Sequence, residues 1–468
     1  MTETVLLVGG GGREHAVARA LADSDADLYA CASNRNPGIV DIAEGFETLE
    51  TTNPKAVTEY AENVDATLAV VGPEAPLAAG VADALDEAGV YAFGPQAEEA
   101  RIETDKAFQR RFMDEHDIPG CPDFETFDDM EAACDYIDEY DGDLAVKPAG
   151  LTGGKGVRVI GDQCTAEEAK EYLRDSDYDR VVLEERLVGE EFTVQAFVAN
   201  GQLRVTPAVQ DHKRAYEGDE GPNTGGMGSY SDASLELPFM TEDDYDAAVA
   251  VLRATVDALE CYKGVLYGQF MLTETGPRVV EFNARFGDPE AMNTLPVLNT
   301  DFLDVLVAAR EERSIPQLSF QPKATVCKYA VPDGYPTDPE AGAKVTIDRE
   351  VVAKAARERA MEQSSSAERS SADRSSEQHP REDGDGLPDN PGMALLLYAS
   401  VDDREDGIYT TTSRSYAVVG IADSITEAEA IAERALQRAG TEGLRVRHDI
   451  GKPDLVQQRI DHMDEIRD

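Results

Sequence analysis

The sequence contains no tryptophan and little lysine. Only 12 of its 43 basic residues are lysine, whereas 93 of its 468 residues are acidic, and the formal net charge is -50. Such a charge opposes binding to the phosphates of nucleic acids and to anionic membrane surfaces, so we expect neither as a partner. An acidic surface poor in lysine resembles that of halophilic proteins. At molar salt, screening shortens the range of repulsion between the acidic charges to about 3 Å, so the fold tolerates them.

Cysteine is also scarce, and long apolar runs are absent. The six cysteines are scattered, with no C-x-x-C pair and no histidines at ligand spacing, so the sequence contains no zinc-binding motif. Scattered cysteines also favour a protein of the reducing cytosol. The first apolar run, Val5 to Val8, is too short for a signal peptide or a membrane span, so we expect a cytoplasmic protein. Because 41% of the residues are hydrophobic and periodic, the acidic composition does not indicate a disordered chain.

Strands and helices alternate over the first hundred residues, which predicts an open parallel α/β sheet. The first strand, Val5 to Val8, is followed by glycines 9–12 and by a helix that starts near Arg13. Glycine lets backbone amides approach a phosphate at a helix N-terminus, so this turn predicts an anion site. A dinucleotide-binding fold is the alternative, but Glu14 occupies the sixth position of its G-x-G-x-x-G motif and the second strand ends without an acid.

A predicted β-hairpin over 265–282 carries the most informative side chains. Residues two apart in a strand share a face, so Glu281 and Asn283 project together, and Arg285 joins them if the strand continues. A carboxylate and an amide oxygen suit Mg²⁺, which is usually held by one or two protein carboxylates and substrate phosphates. The Asp-Pro-Glu sequence that opens 288–298 predicts a helix with an aspartate N-cap. For Glu281 alone, a solvent-facing acid is the alternative.

Two lysines enclose a glycine-rich loop in the middle of the chain. Lys147 ends the predicted strand Leu144 to Pro148, and Lys155 follows Gly153 and Gly154. Backbone amides and ammonium groups next to glycine hinges are what a mobile lid over ATP phosphates requires. The spacing does not match the G-x-x-x-x-G-K-S/T loop of the common nucleotide-binding fold.

A second polar stretch, QDHKR at 210–214 followed by GPNTGGMG at 221–228, has no clear periodicity and predicts a long functional loop. Lys213 and Arg214 can neutralise an anionic substrate. The amides from Asn223 to Gly228 can hold a carboxylate or a transferring phosphoryl group. A plain polar surface loop is the alternative for each piece taken alone.

These motifs together resemble those of one family. EFNARFGDPE at 281–290 is similar to the metal-binding hairpin of the ATP-grasp ligases, and QDHKR with GPNTGGMG resembles the phosphoribosylamine–glycine ligase family specifically. The resemblance implies ATP-dependent ligation of glycine to 5-phosphoribosylamine through a glycyl phosphate, with ATP and Mg²⁺ (or Mn²⁺) bound. Another ATP-grasp carboxylate–amine ligase and a non-catalytic nucleotide sensor are the alternatives.

The resemblance also implies roles for individual residues. Catalytic roles fall on Lys213, Arg214, Asn223 and Arg285, and metal binding falls on Glu281 and Asn283. ATP binding falls on Lys106, Lys147, Gly153, Gly154, Lys155, Gly156, Glu184, Glu185, Leu187 and Glu191, with Glu184 and Leu187 facing the adenine and Glu191 the ribose. Substrate binding falls on Gly11, Gly12, Arg13, Glu14, Glu74, Asp211, Thr224, Gly225 and Gly226.

The expected fold class is a multidomain mixture of α/β and α+β parts. A phosphoribosylamine-binding α/β domain is expected over 1–102, and an ATP-grasp domain over 103–325 with its lid at about 122–190. A small C-terminal α/β domain is expected over 326–468. Residues 357–391 have almost no large apolar side chain, so we predict a disordered insertion there. We expect a monomer whose partners are the small-molecule substrates.

Overall fold

The computed structural model describes residues 2–150, 156–347, 352 and 392–468. Within these ranges the strands form six sheets. The loop residues Gly153, Gly154 and Lys155, and the insertion predicted over 357–391, lie outside the described residues. Among the described ranges, none of the helices combines the length and the apolar character that spanning a bilayer requires.

A parallel five-stranded sheet forms the N-terminal part and confirms the predicted architecture. The strands are β1 (Glu3–Val8), β2 (Ala26–Ala32), β3 (Gly45–Thr48), β4 (Leu68–Val71) and β5 (Tyr91–Phe93), and the helices are α1 (Gly12–Ala22), α2 (Pro37–Val40), α3 (Pro54–Asn63), α4 (Glu74–Ala78) and α5 (Val81–Glu87). The strand order is β3-β2-β1-β4-β5. The chain order reverses between β1 and β4, so the loops after these two strands open a crevice at the carboxyl edge.

Two four-stranded antiparallel sheets form the middle of the chain. The first, in the order β6-β9-β7-β8, contains β6 (Phe124–Phe127), β7 (Leu144–Pro148), β8 (Arg158–Val159) and β9 (Val181–Glu185), with helices α8 (Met130–Glu139) and α9 (Ala166–Asp175). Helices α6 (Arg101–Thr104) and α7 (Lys106–Glu115) precede it. This sheet packs on α8 and α9 around a hydrophobic cluster of its own, which includes Ile137, Val146 and Leu173.

The second middle sheet contains the predicted hairpin, which is confirmed. Its order is β11-β10-β16-β17, with β10 (Glu190–Ala199), β11 (Gln202–Val205), β16 (Gly264–Thr273), β17 (Gly276–Asn283) and helix α10 (Glu242–Ala258). In the antiparallel register, Gln269 lies opposite Glu281 and Tyr267 lies opposite Asn283. The end of the hairpin therefore gathers polar side chains from both strands.

The C-terminal sheet is built around one long buried strand, β18. It contains β12 (Gln210–Asp211), β15 (Gly228–Ser231), β18 (Ala324–Pro332), β20 (Met393–Tyr398), β23 (Tyr416–Ala422) and β24 (Leu444–Val446). Strands β12 and β15 come from the middle of the chain, and β15 pairs directly with β18. The sheet thus joins two regions that are far apart in sequence.

Smaller elements complete the described fold. A three-stranded sheet contains β19 (Lys344–Val345), β21 (Val401–Arg404) and β22 (Gly407–Thr410). The remaining helices are α11 (Glu290–Thr294), a 3₁₀ turn (Leu295–Val297), α12 (Phe302–Arg310), α13 (Ile425–Ala439) and α14 (Pro453–Arg467). Helix α13 packs on β18 and β23.

The prediction of one long loop over 210–228 is wrong. Besides β12, this stretch contains the two-stranded ribbon of β13 (Arg214–Tyr216) and β14 (Glu220–Asn223), and β15 begins at Gly228. Strands of two to four residues are too short to show an alternating pattern, and β15 takes a partner, β18, that is distant in sequence.

The predicted aspartate N-cap after the hairpin is also wrong. Pro289 is the N-cap of α11, and no side chain caps this helix. Asp288 instead accepts a hydrogen bond from the Tyr329 hydroxyl at 2.5 Å and pairs with Arg414 at 3.3 Å. These two partners hold the carboxylate away from the first turn of the helix.

Candidate functional site

Glu281 lies near the end of the hairpin among lysine side chains. Its carboxylate oxygens are 3.9 Å from Nζ of Lys106 and 3.8 Å from Nζ of Lys213. Burial opposes ionisation, but the charges of Lys213, Lys106 and Lys147 outweigh it and lower the pKa of Glu281 to about 2. The structure therefore places a carboxylate that favours its ionised form beside three lysines, an arrangement that suits an anionic ligand bound together with a cation.

Lys147 is held in place by a buried carboxylate. Its Nζ donates to Glu184 Oε2 at 2.6 Å and to the Val280 carbonyl at 3.0 Å. Arg110 donates to both oxygens of Glu184, at 2.8 and 2.9 Å. Because Glu184 accepts hydrogen bonds from both cations, its carboxylate positions Lys147 beside the hairpin, and its contact with adenine stays a prediction.

The other residues predicted to bind ATP lie along β9 and β10. Glu185 pairs with Arg278, and Leu187 is half-buried in the connection between the two strands. Glu191 accepts a hydrogen bond from Gln269 Nε2 at 2.5 Å. Gly156 is buried at the described end of the lid loop.

Gln269 is a site residue that the sequence analysis missed. Its side-chain oxygen accepts a hydrogen bond from Lys213 Nζ at 2.5 Å, while its amide nitrogen bonds to Glu191. It therefore links the predicted ribose side of the cleft to the lysine cluster around Glu281. The signal was available, because Gln269 is the one amide side chain in the otherwise largely apolar run 265–272.

The adjacent cations Lys213 and Arg214 point to different places. Lys213 faces Gln269 and Glu281, whereas Arg214 donates to Asp162 at 2.6 Å and to the Gly221 carbonyl at 2.9 Å. Arg214 thus contacts the lid side, and the structure does not bring it to the lysine cluster. Asn223 pairs with Arg214 across the β13–β14 ribbon.

The glycine-rich stretch after β14 uses its amides internally. The Thr224 N–H donates to the Lys213 carbonyl at 2.8 Å, and the Gly226 N–H donates to the Thr224 hydroxyl at 3.0 Å. The Met227 N–H donates to the His212 carbonyl at 2.8 Å. These three amides therefore have internal acceptors, and their binding of an anion stays a prediction. Gly225 donates weakly, to the Tyr335 hydroxyl at 3.3 Å.

A cavity of about 300 Å³ opens at the crevice of the N-terminal sheet. Gly11, Arg13, Glu14 and Glu74 line it, as predicted for one substrate site. Arg13 donates to the carbonyls of Gly72 and Phe286, which fixes its guanidinium, and Glu14 accepts from the Gly11 N–H at 2.6 Å. Burial raises the pKa of Glu14.

Two neighbours of these residues have structural contacts. Gly12 is buried, and a Cβ atom there would collide with the Tyr329 hydroxyl, so glycine is required for this packing. His15 accepts a hydrogen bond from the Tyr398 N–H at 2.8 Å and stacks on the Tyr398 ring. Helix α1 is thereby attached to β20 of the C-terminal sheet.

Arg285 joins the crevice to the hairpin. Its guanidinium lies 2.9 Å from Glu103, 3.6 Å from Glu74 and 3.1 Å from the Asn283 side-chain oxygen. Glu74 lines the cavity, and Asn283 ends β17. Arg285 therefore sits where a ligand in the cavity would meet one bound at the hairpin.

Arg414 is a second residue that the sequence analysis missed. It lines the same cavity from the C-terminal sheet, and it donates to the carbonyls of Gly226 at 3.1 Å and Asp288 at 2.9 Å. No motif surrounds Arg414 in the sequence, so only the fold shows that it reaches the site.

The hairpin offers few metal ligands of its own. Across the described part of the chain, no three histidine, cysteine, aspartate or glutamate side chains are grouped as a metal site. The ionised Glu281 carboxylate and the Asn283 oxygen are hard donors, so they fit a divalent cation that takes its other ligands from phosphates.

Comparisons with known proteins agree along the length of the chain. Models of three phosphoribosylglycinamide synthetase domains match it: the N domain over 3–103, the ATP-grasp (A) domain over 104–291 and the C domain over 376–453. The chain is 48% identical to the phosphoribosylamine–glycine ligases of Methanococcoides burtonii and of Methanocella arvoryzae, with 99% of each chain covered.

Solved structures show the same fold. The crystal structure of phosphoribosylamine–glycine ligase from Thermotoga maritima superposes with a TM-score of 0.73 at 23% identity, covering 95% of this chain and 99% of that one. A biotin carboxylase from Campylobacter jejuni superposes with a TM-score of 0.67 at 14% identity, covering 99% and 98%. At these identities, the likeness concerns the fold alone.

Proposed function

The chain belongs to the phosphoribosylamine–glycine ligase family, and from that membership we propose that its cleft ligates glycine to 5-phosphoribosylamine with ATP. The products are glycinamide ribonucleotide, ADP and phosphate, a step of purine biosynthesis. The observation that carries the proposal is the ionised Glu281 at the hairpin end among Lys106, Lys147 and Lys213.

The lysine cluster is proposed to receive the triphosphate of ATP. Three ammonium groups around one carboxylate leave a local excess of positive charge, which suits the β- and γ-phosphates. Glu281 and Asn283 would hold a divalent cation, Mg²⁺ or Mn²⁺, which when bound neutralises phosphate charge and orients the γ-phosphate. Gln269 keeps the side chains of Lys213 and Glu191 at a fixed separation across the cleft.

Two chemical steps follow from this placement. The carboxylate of glycine attacks the γ-phosphate to give glycyl phosphate and ADP, and the amine of phosphoribosylamine then attacks the acyl carbon and releases phosphate. Neither step needs a covalent enzyme intermediate, because positioning and charge neutralisation supply most of the acceleration. Arg285, between the cavity and the hairpin, is placed to stabilise the negative charge that develops on the acyl phosphate.

The cavity at the N-terminal crevice is the proposed phosphoribosylamine site. Gly11, Arg13, Glu14 and Glu74 line one wall and Arg414 lines another. The sheet formed by β6 to β9 is the proposed lid, and its closure would keep water from the glycyl phosphate. The domain bounds 1–102, 103–325 and 326–468, a monomeric state and a cytoplasmic location stay predictions.

The proposal is tested by measuring ADP release from the purified protein at several salt concentrations. We expect release only when glycine and freshly made phosphoribosylamine are both present, with glycinamide ribonucleotide formed in equal amount. A panel of other carboxylates and amines serves as the control. Faster ligation of another pair would reassign the substrates, and ATP binding without ADP release would indicate a nucleotide sensor.

A further inference from the structure

A buried acid outside the sequence motifs lies next to the end of the hairpin. Glu103 is on the short helix α6, and 5% of its surface is exposed. Its Oε2 accepts a hydrogen bond from the Ala284 N–H at 2.7 Å, and its Oε1 lies 2.9 Å from Nη2 of Arg285. One carboxylate therefore binds two consecutive residues directly after β17.

The backbone of the same stretch is held by a second buried side chain. Gln109, on α7, donates to the Phe282 carbonyl at 3.2 Å. Gln109 and Glu103 thus bond to the chain on either side of Asn283. Because a backbone amide cannot change rotamer, the Ala284 N–H fixes the direction of the Glu103 carboxylate.

Glu103 also makes the closest contact with the Arg285 guanidinium. Glu74 lies 3.6 Å from Arg285 Nε, which is buried and has no hydrogen-bond partner among the described residues. The Asn283 oxygen and the Phe286 carbonyl, at 3.1 and 3.3 Å, are neutral acceptors. Because Glu103 carries the opposite charge and is buried, its attraction exceeds that of the neutral acceptors. The direction of the guanidinium therefore depends mainly on Glu103.

We propose that Glu103 is a positioning residue, which holds the guanidinium of Arg285 in the direction that the ligation requires. This inference rests on the proposed function, in which Arg285 stabilises the charge that develops on the acyl phosphate. Glu103 does not line the cavity, so it acts on the reactants only through Arg285. A displacement of about 1 Å can cost about 10²-fold in rate. Loss of Glu103 should therefore lower kcat and leave KM for ATP almost unchanged.

The first measurement is ADP release with glycine and phosphoribosylamine, for wild type, Glu103→Gln and a matched control, Glu98→Gln. Glu98 is an exposed acid that also pairs with an arginine, Arg101, at 2.7 Å. The control therefore removes a carboxylate–guanidinium pair on the surface. We expect Glu103→Gln to lower kcat by about 10- to 10²-fold with KM for ATP changed less than about twofold, and the control to match wild type.

A double-mutant cycle shows whether Glu103 acts through Arg285. If it does, the variant that carries both Glu103→Gln and Arg285→Lys should have a kcat within about threefold of that of Arg285→Lys alone. Glu103→Asp keeps the charge, but its shorter side chain cannot bond to the Ala284 N–H and to Arg285 together. This variant should show an intermediate kcat with a melting temperature near that of wild type, and it replaces Glu103→Gln in the cycle if that variant does not fold.

Three results would overturn the inference. The first is an unchanged kcat in Glu103→Gln. The second is a double variant in which the two losses multiply, since Glu103 would then act independently of Arg285. The third is full activity of Arg285→Lys, because Glu103 would then have no group to act through. Absence of ADP release from wild type would instead overturn the proposed function.

Discussion

Two carboxylates near Lys213, those of Glu281 and Asp211, have opposite surroundings. Glu281 lies among three lysines, and their charges hold its pKa near 2 despite burial. Asp211 has a buried oxygen without a hydrogen-bond partner among the described residues, and its burial, followed by the charge of Glu290, raises its pKa. One cleft therefore contains a point with surplus cations and a point with surplus acids. The first point suits an anionic group and the second a cationic one.

Glu281→Gln should have the largest effect on activity, because it removes the carboxylate that lies among the three lysines. We expect ADP formation to fall by about 10³-fold or more, since both the metal ligand and the arrangement of the three lysines are lost. The measurement is the rate of ADP release at saturating glycine and phosphoribosylamine. The matched control is Glu274→Gln, in the exposed turn of the same hairpin, and full activity of Glu281→Gln would contradict the assignment.

Arg285→Lys tests the connection between the lysines around Glu281 and the cavity at the N-terminal crevice. A lysine cannot bond to Glu74, Glu103 and Asn283 together, so we expect kcat to fall by about 10²-fold while KM for ATP changes little. The control is Arg310→Lys, which alters the pair that Arg310 makes with Glu3. Equal effects of the two substitutions would show that Arg285 only supports the fold.

In the ligand-free protein, the charges of Glu281 and Asp211 should change the free energy of unfolding in opposite directions. The pKa of Glu281 is lowered from 4.5 to about 2, so its ionised form stabilises the fold above pH 4.5, and this contribution is lost between pH 4.5 and 2. Glu281→Gln should therefore reduce the free energy of unfolding at pH 7 by up to about 3 kcal/mol.

The pKa of Asp211 is raised instead, so its ionisation destabilises the fold as the pH rises above 3.8. Asp211→Asn should therefore raise the free energy of unfolding at pH 7 by about 1–3 kcal/mol, and the gain should shrink on acidification. Denaturant unfolding at pH 7 and pH 4 checks both signs. Destabilisation by Asp211→Asn at pH 7 would show that its carboxylate is satisfied within the fold.

Arg214→Gln should have the smallest effect, because this cation faces neither acid. It bonds to Asp162 and to a backbone carbonyl, and partly exposed ion pairs contribute only about 0–1 kcal/mol. We expect kcat/KM for ATP to change by less than about tenfold, whereas Lys213→Gln should cost far more. A comparable loss for both would mean that Arg214 turns towards the phosphates when ATP binds.

Much of the fold could be predicted from the sequence because its main elements have clear periods. The hairpin, β1 and β7 follow alternating or apolar patterns, and the structure confirms them. The strands within 210–228 could not be predicted, since two to four residues are too few to show a pattern and β15 pairs with the distant β18. Asp288 failed as a helix cap for the same reason, because its tertiary partners Tyr329 and Arg414 are remote in sequence.

The same distinction between local pattern and long-range packing applies to the residues of the candidate site. Glu281 and Asn283 could be predicted to lie together, because strand geometry fixes residues two apart. The separation of Lys213 from Arg214 depends on where β13 begins, which no local pattern indicates. The approach of Asp211 to Glu290 and the arrival of Arg414 from the C-terminal sheet depend on long-range packing alone.

The pairing of β15 with β18 affects whether the chain can be cut into fragments that fold. A cut between α12 and β18 would leave each fragment with a bare strand edge, and bare edges promote misassembly. Two co-expressed fragments would have to recombine to recover the sheet, and neither would be an autonomous folding unit. The C-terminal third of the chain therefore lines part of the cleft. It shares one sheet with β12, the strand that carries Asp211.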